Sequence, residues 1–176
     1  MKFKNIKIHY FIAIILIAIV VATVDIYTKR LVFNYIDEIS AIENQSSESF
    51  AIEINQFLNL AKVWNRGISF GMFNWAENSR LIFTILQSFI ALIILIWGFF
   101  NRQKKMIVPL GLIVGGAFGN VLDRLRFGAV VDFVDAHAWG WHWYVFNVAD
   151  AAIVCGVGVL LLDALLPPAR APKDNE

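Results

Sequence analysis

Four stretches of the chain are almost unbroken in apolar residues: Ile8–Val24, Leu81–Phe100, Met106–Leu122 and Phe146–Leu166. A helix needs about 20 apolar residues to cross a bilayer, with roughly 17–25 tolerated, so the pattern predicts four membrane-spanning helices, at about 8–24, 81–100, 106–122 and 146–166. Two longer and more polar segments, about 30–80 and 123–145, separate them. In the first, Phe50, Ile52 and Ile54 alternate with Ala51, Glu53 and Asn55, the period-two pattern of a half-buried strand. Phe57–Trp64 continues in strand-compatible residues, and the mostly polar stretch Ala41–Ser49 reads as a mobile tip ahead of them. In the second, Trp139, Trp141 and Trp143 alternate with Gly140 and His142. Tryptophan at a membrane–water boundary serves as an anchor, because its ring is apolar and its N–H wants water. The expectation is an all-α polytopic membrane protein, one membrane-embedded domain over residues 1–176.

Composition strengthens that reading. Of 176 residues, 59% are hydrophobic and 16% charged, against about 45–50% and roughly 25% for soluble domains. The net charge of +1 provides no basic field for nucleic acid. The single cysteine, Cys155, lies inside the fourth apolar run, with no disulfide partner and no companions for zinc. Lys2, Lys4 and Lys7 ahead of the first run imitate a signal peptide, but no small-x-small pattern follows Val24, and a retained first helix is expected. Eight of the 15 basic residues fall in three short pieces: Lys2, Lys4 and Lys7; Arg102, Lys104 and Lys105; Arg170 and Lys173. Positive charge in short segments marks the cytoplasmic side. Both termini are therefore expected inside, with segments 30–80 and 123–145 outside.

Ionisable residues in membrane helices are costly and are functional candidates by default. Here they gather at one end. Asp25 closes the first helix; Asn120, Asp123 and Arg124 close the third; Asn147 and Asp150 open the fourth; Asp132 lies in the connecting Val130-Val131-Asp132-Phe133. Asp163, near the other end, reads as an interfacial carboxylate. Each has a structural explanation as well. Asn147 and Asp150 have capping-box spacing. Asp25 is four residues before Lys29 and suits a cap or an anchor for it, and Asp123 suits a charge pair. Gly115, Gly116 and Gly119 suit close helix packing. Asn120 and Arg124 share one helix face and could hold a substrate carbonyl together.

Two carboxyls within reach of one water share a proton, since both cannot ionise easily. The ionised partner takes a proton from water while the other polarises a peptide carbonyl. Asp132 and Asp150 are the pair this chemistry would use, because neither has an adjacent basic residue. Gly67-Ile68-Ser69-Phe70-Gly71 matches a nucleophile elbow, but that motif needs an α/β-hydrolase sheet. No His-Glu-x-x-His occurs, and His137, His142 and Asp135 lack a metal-ligand spacing. The remaining class is a transport or assembly protein, for which a midplane site and internal repeats would be expected. The polar cluster sits near the membrane edge, and the chain shows no repeat.

Taken in order, Asn65-Arg66-Gly67-Ile68-Ser69-Phe70-Gly71, Gly115 to Arg124 (GGAFGNVLDR), Val130-Val131-Asp132-Phe133 and Phe146-Asn147-Val148-Ala149-Asp150 resemble the lipoprotein signal peptidase family, also called signal peptidase II. The resemblance covers nearly the whole chain. It implies an aspartyl endopeptidase of the bacterial cytoplasmic (inner) membrane that cleaves diacylglyceryl-modified prolipoproteins immediately before the lipidated cysteine. By motif position Asp132 and Asp150 would be catalytic, and Asn65, Gly116, Asn120, Arg124 and Asn147 would bind or orient substrate. Asp25, Lys29 and Asp123 would be structural. The resemblance further implies no metal or organic cofactor, a monomer in contact with membrane lipid, an active site near the outer (periplasmic) face, and a small extracytoplasmic β-sheet cradle. Ile26 where glutamine is frequent, Ser69 where alanine is frequent, and Tyr144-Val145 without the usual proline depart from the family pattern.

Overall fold

A computed structural model describes residues 7–48, 50–67 and 76–166. Four helices carry the chain: α1 (Ile8–Ile42), α2 (Ala76–Phe100), α3 (Ile107–Phe127) and α4 (Val148–Leu165). Each contains a stretch long and apolar enough to cross a membrane. α3 is the central helix, with Leu110, Gly111, Ile113, Val114, Gly115, Gly116, Ala117, Gly119, Asn120 and Asp123 all buried. Its glycines explain how. A Cβ on Gly115 would lie 2.6 Å from the Ala18 carbonyl oxygen of α1, and one on Gly116 would overlap the Ala149 carbonyl of α4. Small residues let helix backbones touch where no hydrophobic effect drives association. By contrast α2 turns Ile82, Ile85, Phe89, Leu92, Ile93 and Ile96 outward, about half exposed, as a lipid-facing surface requires.

The hydropathy pattern ends the first helix at Val24, but α1 continues for 35 residues in all. Residues 30–42 of the segment expected as loop, 30–80, are thus helix. Hydropathy marks the membrane, not the helix: beyond Val24 a narrow stripe of Lys29, Val32, Ile36 and Ser40 remains buried at helical spacing. Val32 and Ile36 form a core with Phe133, and Phe50, Ile52, Leu60 and Val134 pack against it. This extension is the post on which the sheet is mounted. α3 likewise runs five residues past the predicted Leu122, to Phe127, and is capped by Gly128 at φ +79°, whose N–H bonds the Arg124 carbonyl at 3.1 Å. Arg80 of α2 donates to the same Arg124 carbonyl at 2.9 Å and to the Leu125 carbonyl at 3.3 Å, closing the same helix end.

Four antiparallel strands lie in the order β1 (Ala51–Asn55), β2 (Leu58–Asn65), β3 (Val130–Ala138) and β4 (Trp141–His142). The strand expected from the Phe50–Asn55 alternation is β1, and the residues after it form β2. The structure corrects the expectation for Asp132, which lies on a strand and not in a connecting loop. Val130, Val131, Asp132 and Phe133 are all at most 5% exposed, so β3 is covered on both faces and shows no alternation to read. Trp139 and Gly140, at φ +50° and +80°, make the tight turn into β4. Trp139, Trp141 and Trp143 stand 95%, 83% and 71% exposed, with their rings available to an interface. Of Ala41–Ser49, expected as a polar tip, Ala41 and Ile42 end α1 and residues 43–48 are turns and irregular chain; Ser49 and the tails carrying Lys2, Lys4, Arg170 and Lys173 lie outside the described residues. At the other end of the bundle Lys105 and Asp163 form an ion pair at 2.6 Å.

Candidate active site

The polar residues singled out in the sequence meet where the sheet joins the bundle. Asn147 is the hub. As the N-cap of α4 it accepts the Asp150 N–H at 2.9 Å, while Asp150 Oδ2 accepts the Asn147 N–H at 3.4 Å. The capping box is therefore real, and an N-cap of this kind contributes about 1 kcal/mol to a helix. Its carboxamide does more than cap: Nδ2 donates to Asp132 Oδ1 at 2.6 Å, Asn120 Oδ1 at 3.1 Å and the Val131 carbonyl at 3.2 Å. Asn120 Nδ2 in turn donates to Asp150 Oδ1 at 2.7 Å. The two aspartates are thus joined through two carboxamides, one from α3 and one from the start of α4.

Asn65, at the end of β2, supplies the last donor to Asp132, with Nδ2 to Oδ2 at 2.8 Å. Its own oxygen accepts the Gly67 N–H at 2.8 Å, which fixes which way the amide faces. Asp132 is 1% exposed, whereas Asp150 is only partly buried and so is the member of the pair open to solvent. Burial pushes the Asp132 carboxyl up to about 6. The Asp150 charge adds to the rise, while the Asn65 and Asn147 hydrogen bonds and the Lys29 charge oppose it.

Beneath the carboxamides lies a buried ionic triad. Lys29 Nζ sits 2.6 Å from Asp25 and 2.7 Å from Asp123, and reaches Asn120 Oδ1 at 3.4 Å. Asp25 Oδ1 accepts the Ala149 N–H at 2.9 Å, and Asp123 Oδ2 the Val131 N–H at 3.1 Å. Each carboxylate therefore ties the residue just before one aspartate of the pair. Removing one partner from such a buried group typically costs about 3–5 kcal/mol. The expected anchoring of Lys29 by Asp25 and the charge pairing of Asp123 both appear.

Two other candidates behave differently from their helical spacing. Asn120 and Arg124 share a face, yet the Asn120 side chain turns to Asp150, while Arg124 Nη1 donates to Gln87 Oε1 of α2 at 2.5 Å. Gly116 meets the Ala149 backbone, so its place is in the α3–α4 contact. The sequence pattern does not single out Gln87, whose one signal is a lone carboxamide inside the Leu81–Phe100 apolar run. His142 Nδ1 lies 2.8 Å from Asp135 and its ring stacks on His137, with centroids 4.9 Å apart. No group of three or more His, Cys, Asp or Glu side chains converges as a metal-ligand set among the described residues. Residues 68–71 of the Gly67–Gly71 match lie outside the described residues, and the strands that are described form one antiparallel sheet.

Four membrane helices with a small antiparallel sheet mounted at one end, and a carboxamide-braced pair of aspartates at the junction, define a polytopic membrane protein with the makings of a hydrolase. Comparison with known proteins narrows the class. A sequence model of signal peptidase (SPase) II matches residues 17–166. A lipoprotein signal peptidase of Methylorubrum extorquens is 50% identical over 120 residues, covering 68% of this chain and 70% of that protein. One from Anaplasma marginale is 44% identical over 129 residues, covering 73% and 76%. A third, from Syntrophotalea carbinolica, is 40% identical over 161 residues, covering 89% and 92%. Among solved structures, a bacterial membrane enzyme determined by the in meso method at 1.9 Å superposes with a TM-score of 0.70 at 27% identity, covering 92% of this chain and 94% of that one. The chain belongs to the signal peptidase II family. It is a multi-pass bacterial membrane peptidase.

Proposed function

We propose that this protein removes the signal peptide from prolipoproteins carrying a diacylglyceryl group on cysteine, cutting immediately before that residue, with Asp132 and Asp150 as the catalytic pair. The observation that carries the reading is the Asp132–Asn147–Asn120–Asp150 chain of hydrogen bonds, which holds one buried and one accessible carboxyl in a single network. In this reading the two carboxyls share one proton between them. The ionised carboxylate takes a proton from a water as that water's oxygen attacks the scissile carbonyl. The protonated partner gives its proton to the carbonyl oxygen. Collapse of the tetrahedral diol breaks the C–N bond: the leaving nitrogen takes the proton held by the first carboxyl while a diol hydroxyl returns its proton to the other carboxylate, so the pair again holds one proton. No covalent enzyme intermediate, metal or organic cofactor enters these steps.

In this reading Asn65, Asn120 and Asn147 hold the carboxyls in register, and Arg124, braced by Gln87, orients the substrate backbone. Gly116 acts indirectly, by allowing α4 to approach α3. The termini lie in the cytoplasm and the pair at the outer face, where the scissile bond of a lipid-anchored precursor would sit at headgroup depth. The protein works as a monomer. The test is cleavage by detergent-purified protein of a diacylglyceryl-modified precursor peptide, beside the same peptide without the lipid. Cleavage before the cysteine that depends on the lipid is expected. Equal turnover of the unmodified peptide would remove the lipid from substrate recognition, and absence of any cleavage by folded protein would favour a transport or assembly role.

A further inference from the structure

A second concavity opens at the same end of the bundle as the aspartates, on the other face of the sheet. Trp64 pairs with Val131 one residue along from the Val63–Asp132 pair, so strand alternation turns it away from Asp132. Trp64 and the rings of Phe33 and Phe127 form an aromatic wall, with centroids 5.5 and 5.7 Å from the indole. The space they border holds about 440 Å³ and is also lined by Arg30 of α1 and Arg126 of α3.

The charges around it are unevenly committed. Of the two carboxylates on its wall, Asp37 is held by Lys62 at 2.7 and 2.9 Å, and Asp123 by Lys29 at 2.7 Å. Arg30 and Arg126 are exposed, and among the described residues neither side chain forms a hydrogen bond or ion pair. The cavity thus presents two uncommitted guanidinium groups beside three rings.

Depth says what meets them. Arg30 lies six residues beyond the apolar run ending at Val24, and Arg126 four beyond the run ending at Leu122. At 1.5 Å per residue these are about 9 and 6 Å, close to the headgroup layer flanking the hydrocarbon core, which is about 5–8 Å thick on each side. Guanidinium groups bind phosphate in a planar, two-pronged geometry, and tryptophan favours this layer.

We propose that this concavity is a binding site for one anionic glycerophospholipid, its phosphodiester held by Arg30 and Arg126 and its glycerol end lying against Trp64, Phe33 and Phe127. The site lies on the sheet face opposite Asp132, so occupancy can be read without reference to peptide cleavage.

The experiment is native mass spectrometry of the detergent-purified full chain titrated with palmitoyl-oleoyl phosphatidylglycerol, with the phosphatidylcholine of the same chains, and with glycerol 3-phosphate. One tightly bound phosphatidylglycerol is expected. Its apparent Kd should rise about tenfold or more in Arg30→Gln/Arg126→Gln, since charge-assisted hydrogen bonds to the lipid are lost. Arg30→Lys/Arg126→Lys keeps the charge and should lose less. Equal phosphatidylglycerol affinity in the wild type and the double glutamine variant would overturn the proposal. So would phosphatidylcholine binding as tight as phosphatidylglycerol, or glycerol 3-phosphate binding as tight as the lipid. Thermal melting of each variant alone confirms that the comparison is made between folded proteins.

Discussion

At the scale of single residues, the placement of Asn65 shows what a carboxamide can do for a buried acid. Its N–H donates to Asp132 Oδ2 and so favours the ionised form, working against the burial that pushes this carboxyl up to about 6. Asn65→Ala should therefore lower kcat and move the Asp132 limb of the kcat/KM profile to higher pH. A role confined to folding would reduce activity without moving that limb, and a pH–rate series on both proteins separates the two. The sequence makes Asp132 and Asp150 legible as an expensive pair with no adjacent base. It does not show that Asn147 serves both as helix cap and as donor to the other aspartate, because that second bond depends on β3 passing beside the start of α4. Gln87 is the opposite case: its polarity inside an apolar run was visible, but only the crossing of α2 and α3 reveals Arg124 as its partner.

At the scale of elements, hydropathy locates all four helices because each carries a nearly unbroken apolar run. It failed at their polar ends, where length is set by packing: α1 reaches Ile42 on the strength of a Val32 and Ile36 stripe beneath the sheet. β1 was readable by alternation. β3 was not, because a strand covered on both faces has no alternation. The α3–α4 crossing is the element-level feature most open to a direct test. A side chain on Gly116 would run into the Ala149 carbonyl and the Ile153 side chain, the former directly ahead of Asp150. Gly116→Val should destabilise the protein by about 1–3 kcal/mol through overpacking. Because α4 must retreat, it should lose activity beyond what its melting temperature explains. A Gly116→Val protein with wild-type melting and turnover would show that the helices have room to spare.

At the scale of the whole molecule, a membrane bundle and a small sheet share one polar interface, and each supplies part of the candidate site. The sheet brings Asn65 and Asp132, while the bundle brings Asn120, Asn147 and Asp150 above the Lys29 triad. Asp132 also couples folding to pH. Its folded-state carboxyl binds protons more tightly than an ordinary aspartate, so its contribution is fully present below about pH 4 and is lost as pH rises through about 6. The central claim is that Asp132 and Asp150 together perform the cleavage. The most direct measurement is single-turnover cleavage of a lipidated precursor by Asp132→Asn and Asp150→Asn, each shown by thermal melting to be folded in the same detergent. Each substitution is expected to reduce the cleavage rate by at least about a thousandfold, since the two residues act as a unit. A folded variant of either kind that keeps turnover near the wild-type rate would remove that aspartate from the mechanism.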